Sequence, residues 1–144
     1  MLIGILCLAV AAFYSGAALY VNIVEAHTLA ALDDRAQLAG WKISLKRGAL
    51  MQAPFCIVGF LLGLAAWAST HYFSDAIGAI AMLANVPWTF AMIAPTNKAL
   101  HETAPEAAGP RSRALILHWG SLHSVRTALG LLALLAFLQA LLPS

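Results

Sequence analysis

Four long apolar runs, each closed off by a short cluster of polar residues, set the rhythm of this chain; they cover approximately residues 2–24, 48–69, 75–95 and 115–142. About 20 mostly apolar residues wound as a helix cross a hydrocarbon core of roughly 30 Å. Each run is long enough to span a bilayer. The pattern predicts an all-α fold, an integral membrane four-helix up-and-down bundle, with the whole of 1–144 as a single domain. Short connections favour antiparallel neighbours. The first run has no basic residue ahead of Leu2 and exceeds the roughly 7 to 15 residues of a signal-peptide core, so it is read as a retained span.

The fourth run is longer than a bilayer needs. A helix from Arg111 to Leu142 would carry His118 and Trp119 into the headgroup region or above it. Gly109 and Pro110 give that helix its start signal. Gly59 and Gly63 form a GxxxG pair on the second span, and Ala9, Ala12, Gly16 and Ala17 give the first a small-residue surface. Both are read as close packing within the bundle, where lipid supplies no hydrophobic drive for association.

Basic residues add an orientation. Residues 25–47, expected as a loop, hold Arg35, Lys42, Lys46 and Arg47; residues 96–114, expected as a second, hold Lys98, Arg111 and Arg113. The turn near His71 and Asp75 has neither Lys nor Arg. Because Lys and Arg are retained on the cytoplasmic side during insertion, both termini are expected on the non-cytoplasmic side, with a bacterial inner membrane as the expected location.

Composition agrees: 62% of residues are hydrophobic and 10% charged, against about 25% charged in soluble domains. A formal charge of +2 is too weak and too scattered to build a phosphate-binding face, so nucleic acid is not an expected partner. Cys7 and Cys56 lie inside apolar runs, outside any metal-ligand spacing, and read as small buried hydrophobes. There is no Walker loop, GxSxG or HExxH.

Aligning the four spans by depth gathers polar residues at one end. Asn22, Glu25 and His27 arrive there on the first; Lys46, Arg47 and Gln52 begin the second; Asn97, Lys98 and His101 end the third; and His118 to Thr127 cross the same layer on the fourth. Ionisable groups at such depth normally face the bundle interior and pair, which makes Glu25 the expected partner of Arg126. Asn85, near the middle of the third span, needs partners that lipid cannot give. Tyr14 and Tyr20 are in reach of the same interior. Asn85 followed by Pro87 equally suits a kink. Trp41, Trp67, Trp88 and Trp119 suit an aromatic belt, with Trp88 and Trp119 as exceptions able to line a pocket.

Histidine is the natural metal ligand, and four of the five, His27, His101, His118 and His123, lie on this side. His118 and His123 are five apart, about 140° around a helix, so a metal or haem site through them would also need His27 or Glu25.

Several segments together resemble a known family: Tyr14-Ser15-Gly16, Val24-Glu25, Trp41-Lys42, Arg47-Gly48-Ala49-Leu50-Met51-Gln52, Asn85-Val86-Pro87-Trp88-Thr89, Pro95-Thr96-Asn97-Lys98, and the run from Trp119 to Thr127. In this order they resemble the small four-span membrane proteins that include the anthrone oxygenases. One departure stands out: where that family commonly follows its Glu directly with His and Pro, Ala26 here precedes His27 and Thr28 takes the proline's place.

The resemblance implies an oxygenase that turns a fused-ring anthrone into an anthraquinone, with Glu25, His123, Arg126, Asn97 and Lys98 as its catalytic polar centre. Tyr14, Asn22, Asn85, Trp88 and Trp119 are the expected substrate-binding residues. An anthrone carries an activated C–H, so a base such as His123 or Glu25 and an oxyanion clamp suffice for direct reaction with dioxygen. The expected partners are a lipophilic small molecule, dioxygen and membrane lipid, with a homo-oligomer allowed. That route requires no cofactor; a haem or transition metal held by His27, His118 and His123 stays open as a redox alternative. So do a ligand-binding protein and a structural subunit in which the cluster only pairs charges.

Overall fold

The computed structural model describes residues 1–142. Four long helices carry almost all of them: α1, Leu2–Ala30; α2, Asp34–Thr70; α3, Phe73–Glu102; and α4, Pro110–Leu141. Each packs on its neighbours in sequence and α4 returns against α1, closing an up-and-down bundle. Large apolar side chains such as Ile57, Leu61, Leu64, Leu132, Leu135 and Leu138 stand on the outside. In water such a surface would aggregate; in a bilayer it is the lipid face.

Small residues let the backbones approach. A Cβ at Gly59 would lie 2.8 Å from Met82 Cε, and one at Gly63 would lie 2.8 Å from Phe137 Cζ. The GxxxG pair is therefore spent inside the bundle, as expected. Cys7 and Cys56 are buried in the same core.

The expected loops are mostly helix. Residues 25–47 were expected to connect two spans, yet α1 runs on to Ala30 and α2 starts at Asp34, leaving three residues between them. Falling hydropathy marks where a helix leaves lipid, which is a different place from where it ends. Asp33 caps α2 by accepting from the N–H groups of Arg35 at 3.1 Å and Ala36 at 3.0 Å. The following residues, Arg35-Ala36-Gln37-Leu38-Ala39, are strong helix formers. Likewise α3 continues to Glu102 through the first part of the other expected loop, before a single 3₁₀ turn at Pro105–Ala107. Gly109 and Pro110 start α4 as expected, with the Gly109 N–H donating to Ser112 Oγ at 3.0 Å.

Cationic side chains fasten this extended end. Lys42 Nζ donates to the carbonyls of His101 at 3.2 Å and Thr103 at 2.8 Å, which α3 leaves open at its C-terminus. Arg113 donates to the carbonyls of Ala30 and Leu32 and pairs with Asp34, tying the end of α1 to the start of α2. The 37 residues of α2 reach about 56 Å at 1.5 Å per residue. The bundle thus stands well clear of the hydrocarbon at one end.

Two stretches widen into π-helix, Val21–Glu25 in α1 and Thr89–Ile93 in α3. The second follows Pro87, where a kink was expected. Both lie near the same part of α4: Asn22, within the first, donates through Nδ2 to Gly120 O at 3.1 Å, and Trp88, just ahead of the second, donates through Nε1 to Leu122 O at 3.0 Å. Single π turns concentrate at functional sites.

Candidate functional site

His123 is buried on α4, and its Nδ1 lies 3.1 Å from Asn22 Oδ1. The neighbours of Asn22 settle which ring nitrogen carries hydrogen. Asn22 Nδ2 faces Gly120 O, a pure acceptor, so the amide nitrogen belongs on that side and Oδ1 on the other. Thr127 also donates to Oδ1, at 2.6 Å. His123 Nδ1 must then be the donor, and a neutral ring so held keeps its lone pair on Nε2. That atom has no hydrogen-bond partner among the described residues. Trp119 stacks on the imidazole, with ring centroids 5.1 Å apart and 29° between planes, and fixes the plane of the ring.

One turn along α4, Arg126 Nε donates to the Tyr14 hydroxyl at 3.2 Å, and its guanidinium carbon sits 5.8 Å from the centre of the Tyr14 ring. The Tyr14 hydroxyl in turn donates a hydrogen bond to Asn85 Oδ1 at 2.7 Å, and Asn85 Nδ2 donates to Ala81 O at 3.0 Å. The mid-span amide is thus satisfied by a polar track across the bundle. Gly130 makes the track possible: a Cβ there would lie 2.8 Å from Tyr14 Cδ1.

Three cavities meet around Trp119. A small one of about 30 Å³ is lined by Glu25, Gln52, His123 and Arg126. One of about 290 Å³ opens between α1, α2 and α4, with Asn22, Glu25, Gln37, Trp41 and Trp119 in its wall. One of about 440 Å³ opens between α2 and α3, with Lys46, Asn97, His101 and Arg126 in its wall. Buried polar atoms without partners gather along these walls: Gln37 Oε1, Trp41 Nε1, Gln52 Oε1, Asn97 Oδ1 and Trp119 Nε1. Such atoms are costly to leave unpaired.

Of the residues singled out from sequence, Tyr14, Asn22, Asn85, Trp119, His123 and Arg126 come together, with Glu25 in the wall beside them. Asn97 joins through the cavity it shares with Arg126. Several expectations are corrected. Glu25 and Arg126 form no ion pair: the ion pairs among the described residues are Arg35–Glu106, Lys98–Glu102 and Arg113–Asp34, and Arg126 turns to Tyr14 instead. Lys98 points out of the bundle with its side chain 77% exposed, because its helical phase sets it on the outer face of α3. His27 and His118 are exposed for the same reason, and no group of three His, Cys, Asp or Glu residues converges among the described residues. Tyr20 is exposed. Trp88 spends its N–H on Leu122 O and lines none of the three cavities.

Trp41 is the residue most misjudged as an interfacial anchor. It is fully buried and meets Trp119 edge to face at 5.8 Å. Gln37 went unnoticed, although Gln37 and Trp41 are four apart and share a helix face once α2 is known to start at Asp34.

The family model described as anthrone oxygenase matches residues 41–136. No curated protein and no solved structure matches the chain.

Proposed function

The chain belongs to the anthrone oxygenase family, and from that premise we propose that it oxidises a lipophilic phenolic anthrone-type substrate with dioxygen at the junction of the three cavities. The observation that carries this reading is His123: Nδ1–H is anchored on Asn22, and the Nε2 lone pair is left unpaired beside Arg126. A base needs that arrangement. Arg126 supplies the complement, since only its Nε is engaged, on Tyr14, and its two terminal nitrogens have no partner among the described residues.

In this reading His123 Nε2 removes one proton from the methylene carbon of the substrate. The charge left behind spreads to the ring ketone oxygen, where a guanidinium is a strong stabiliser in a dry site. Dioxygen, sized for the cavity of about 30 Å³, takes up the carbanion's electron pair in two one-electron steps. A C–O bond forms, and the resulting peroxide recovers the proton from His123. Loss of the second C–H proton with cleavage of the O–O bond creates the new carbonyl and expels hydroxide, which leaves with that proton as water. One substrate and one dioxygen give one quinone and one water.

The test is oxygen uptake and quinone absorbance with an anthrone and the purified protein in lipid. One dioxygen should be consumed per quinone formed, and His123→Ala should lower turnover by about 10²- to 10⁴-fold, the usual range for a general base. Native turnover in His123→Ala would overturn the assignment.

A further inference from the structure

The groove of about 440 Å³ between α2 and α3 is one-sided in charge. Lys42, Lys46, His101 and Arg126 stand in its wall, with no Asp or Glu among them. Lys42 is spent on two carbonyls at the end of α3. Lys46 is exposed and takes part in none of the ion pairs among the described residues. A groove lined by one sign of charge and low-dielectric walls focuses its field and draws the opposite sign.

Depth says where that anion comes from. Lys46 lies 24 residues before Thr70, the end of α2, and Asn97, also in the wall, lies 24 residues after Phe73, the start of α3. At 1.5 Å per residue both stand about 36 Å from the turn that joins the two helices, against a hydrocarbon core of roughly 30 Å. With that turn at the far face of the bilayer, Lys46 reaches the layer of lipid phosphates. Nearer the membrane centre the groove becomes apolar, with Ala49 and Leu50 of α2 across from Ile93 of α3. Leu50 is 70% exposed, so the groove opens sideways to lipid. Charge at the upper end and hydrocarbon at the lower end suit an anionic amphiphile lying parallel to the helices.

We propose that this groove holds the headgroup end of an anionic phospholipid, its phosphate against Lys46 and one acyl chain descending past Leu50. The lipid is separate from the reacting groups. Arg126 lies 15 residues before Leu141, the end of α4 on the same side as that turn, so it stands about 22 Å up, below the phosphate. The proposal does not depend on the oxygenase reading.

The test reads which lipid stays with the protein. Full-length protein is released from nanodiscs holding equal amounts of dioleoyl phosphatidylglycerol and dioleoyl phosphatidylcholine, and the bound lipid is counted by native mass spectrometry. Native protein should retain one phosphatidylglycerol in preference to phosphatidylcholine. Lys46→Gln should lower that preference about fivefold, the effect of one cation beside an anionic lipid. Lys98→Ala removes a cation from nearly the same height on the outer face of α3 and should change nothing. Ala49→Phe keeps every cation and narrows the groove at an exposed position, so retention should fall while the melting temperature holds. Glycerol phosphate, the same anion without chains, should not displace the lipid; displacement would make a free phosphate ester the occupant and overturn the proposal. So would equal retention of the two lipids by native protein, an unchanged preference in either Lys46→Gln or Ala49→Phe, or a loss in Lys98→Ala as large as that in Lys46→Gln.

Discussion

Asn22 and His123, 101 residues apart in sequence, are joined at 3.1 Å from amide oxygen to ring nitrogen. The contact crosses from the π-helical turn of α1 to the middle of α4 and sets the tautomer of the one buried histidine. Asn22→Leu should free the ring to place its hydrogen on either nitrogen. Turnover should fall about tenfold or more, and ¹⁵N spectra of the imidazole should change from one tautomer to a mixture. A single unchanged tautomer in the variant would remove Asn22 from its positioning role.

The Tyr14 hydroxyl holds Asn85 and Arg126 at once. Tyr14→Phe leaves the Asn85 oxygen buried without a donor and should cost about 1 to 3 kcal/mol, read as a lower melting temperature in detergent. Asn85→Leu in the same background should cost less than the sum of the single changes, because it removes the stranded acceptor. Simple additivity would mean the two side chains are not coupled.

Glu25 and Lys98 carry charge without holding the bundle together. Glu25→Gln should leave thermal stability within about 0.5 kcal/mol of native, since Arg126 is bonded to Tyr14. A loss of several kcal/mol would instead reveal a buried ion pair. Lys98→Ala, at a side chain that is 77% exposed and 3.9 Å from Glu102, should leave both stability and turnover native.

Glycines differ by what lies opposite them. A Cβ at Gly78 would stand 2.5 Å from Phe137 Cε1, whereas one at Gly16 meets nothing within 4 Å. Gly78→Val should lower stability by about 1 to 3 kcal/mol through overpacking, and Gly16→Ala should be nearly neutral. Equal melting temperatures for the two variants would contradict this packing.

Hydropathy made the spans and the depth of each polar residue legible, and depth alone was enough to bring Tyr14, Asn85, Asn22, His123 and Arg126 to a common region. What depth does not contain is azimuth. His27, His118 and Lys98 share the level of the site and face away from it. The π turns deepen the difficulty: one extra residue in a turn rotates everything beyond it by about 100°. Residues 26–30 and 94–102 therefore cannot be phased from the helices that precede them. Trp41 and Gln37 were hidden for another reason. They lie in the part of α2 that has left the lipid, where hydropathy no longer reports on helix, although the Asp33 cap and the spacing of four between them were there to be read.

The overhang of the helices beyond the hydrocarbon has a consequence for traffic. His123 stands 18 residues before Leu141, the end of α4, about 27 Å at helical rise, close to the roughly 30 Å of a hydrocarbon core, which would set the chamber near the edge of a bilayer entered from that end. In the proposed reaction, oily rings and dioxygen, both enriched in lipid, would arrive sideways between helices. Protons can depart upward into solvent. Neither has to cross the other's medium.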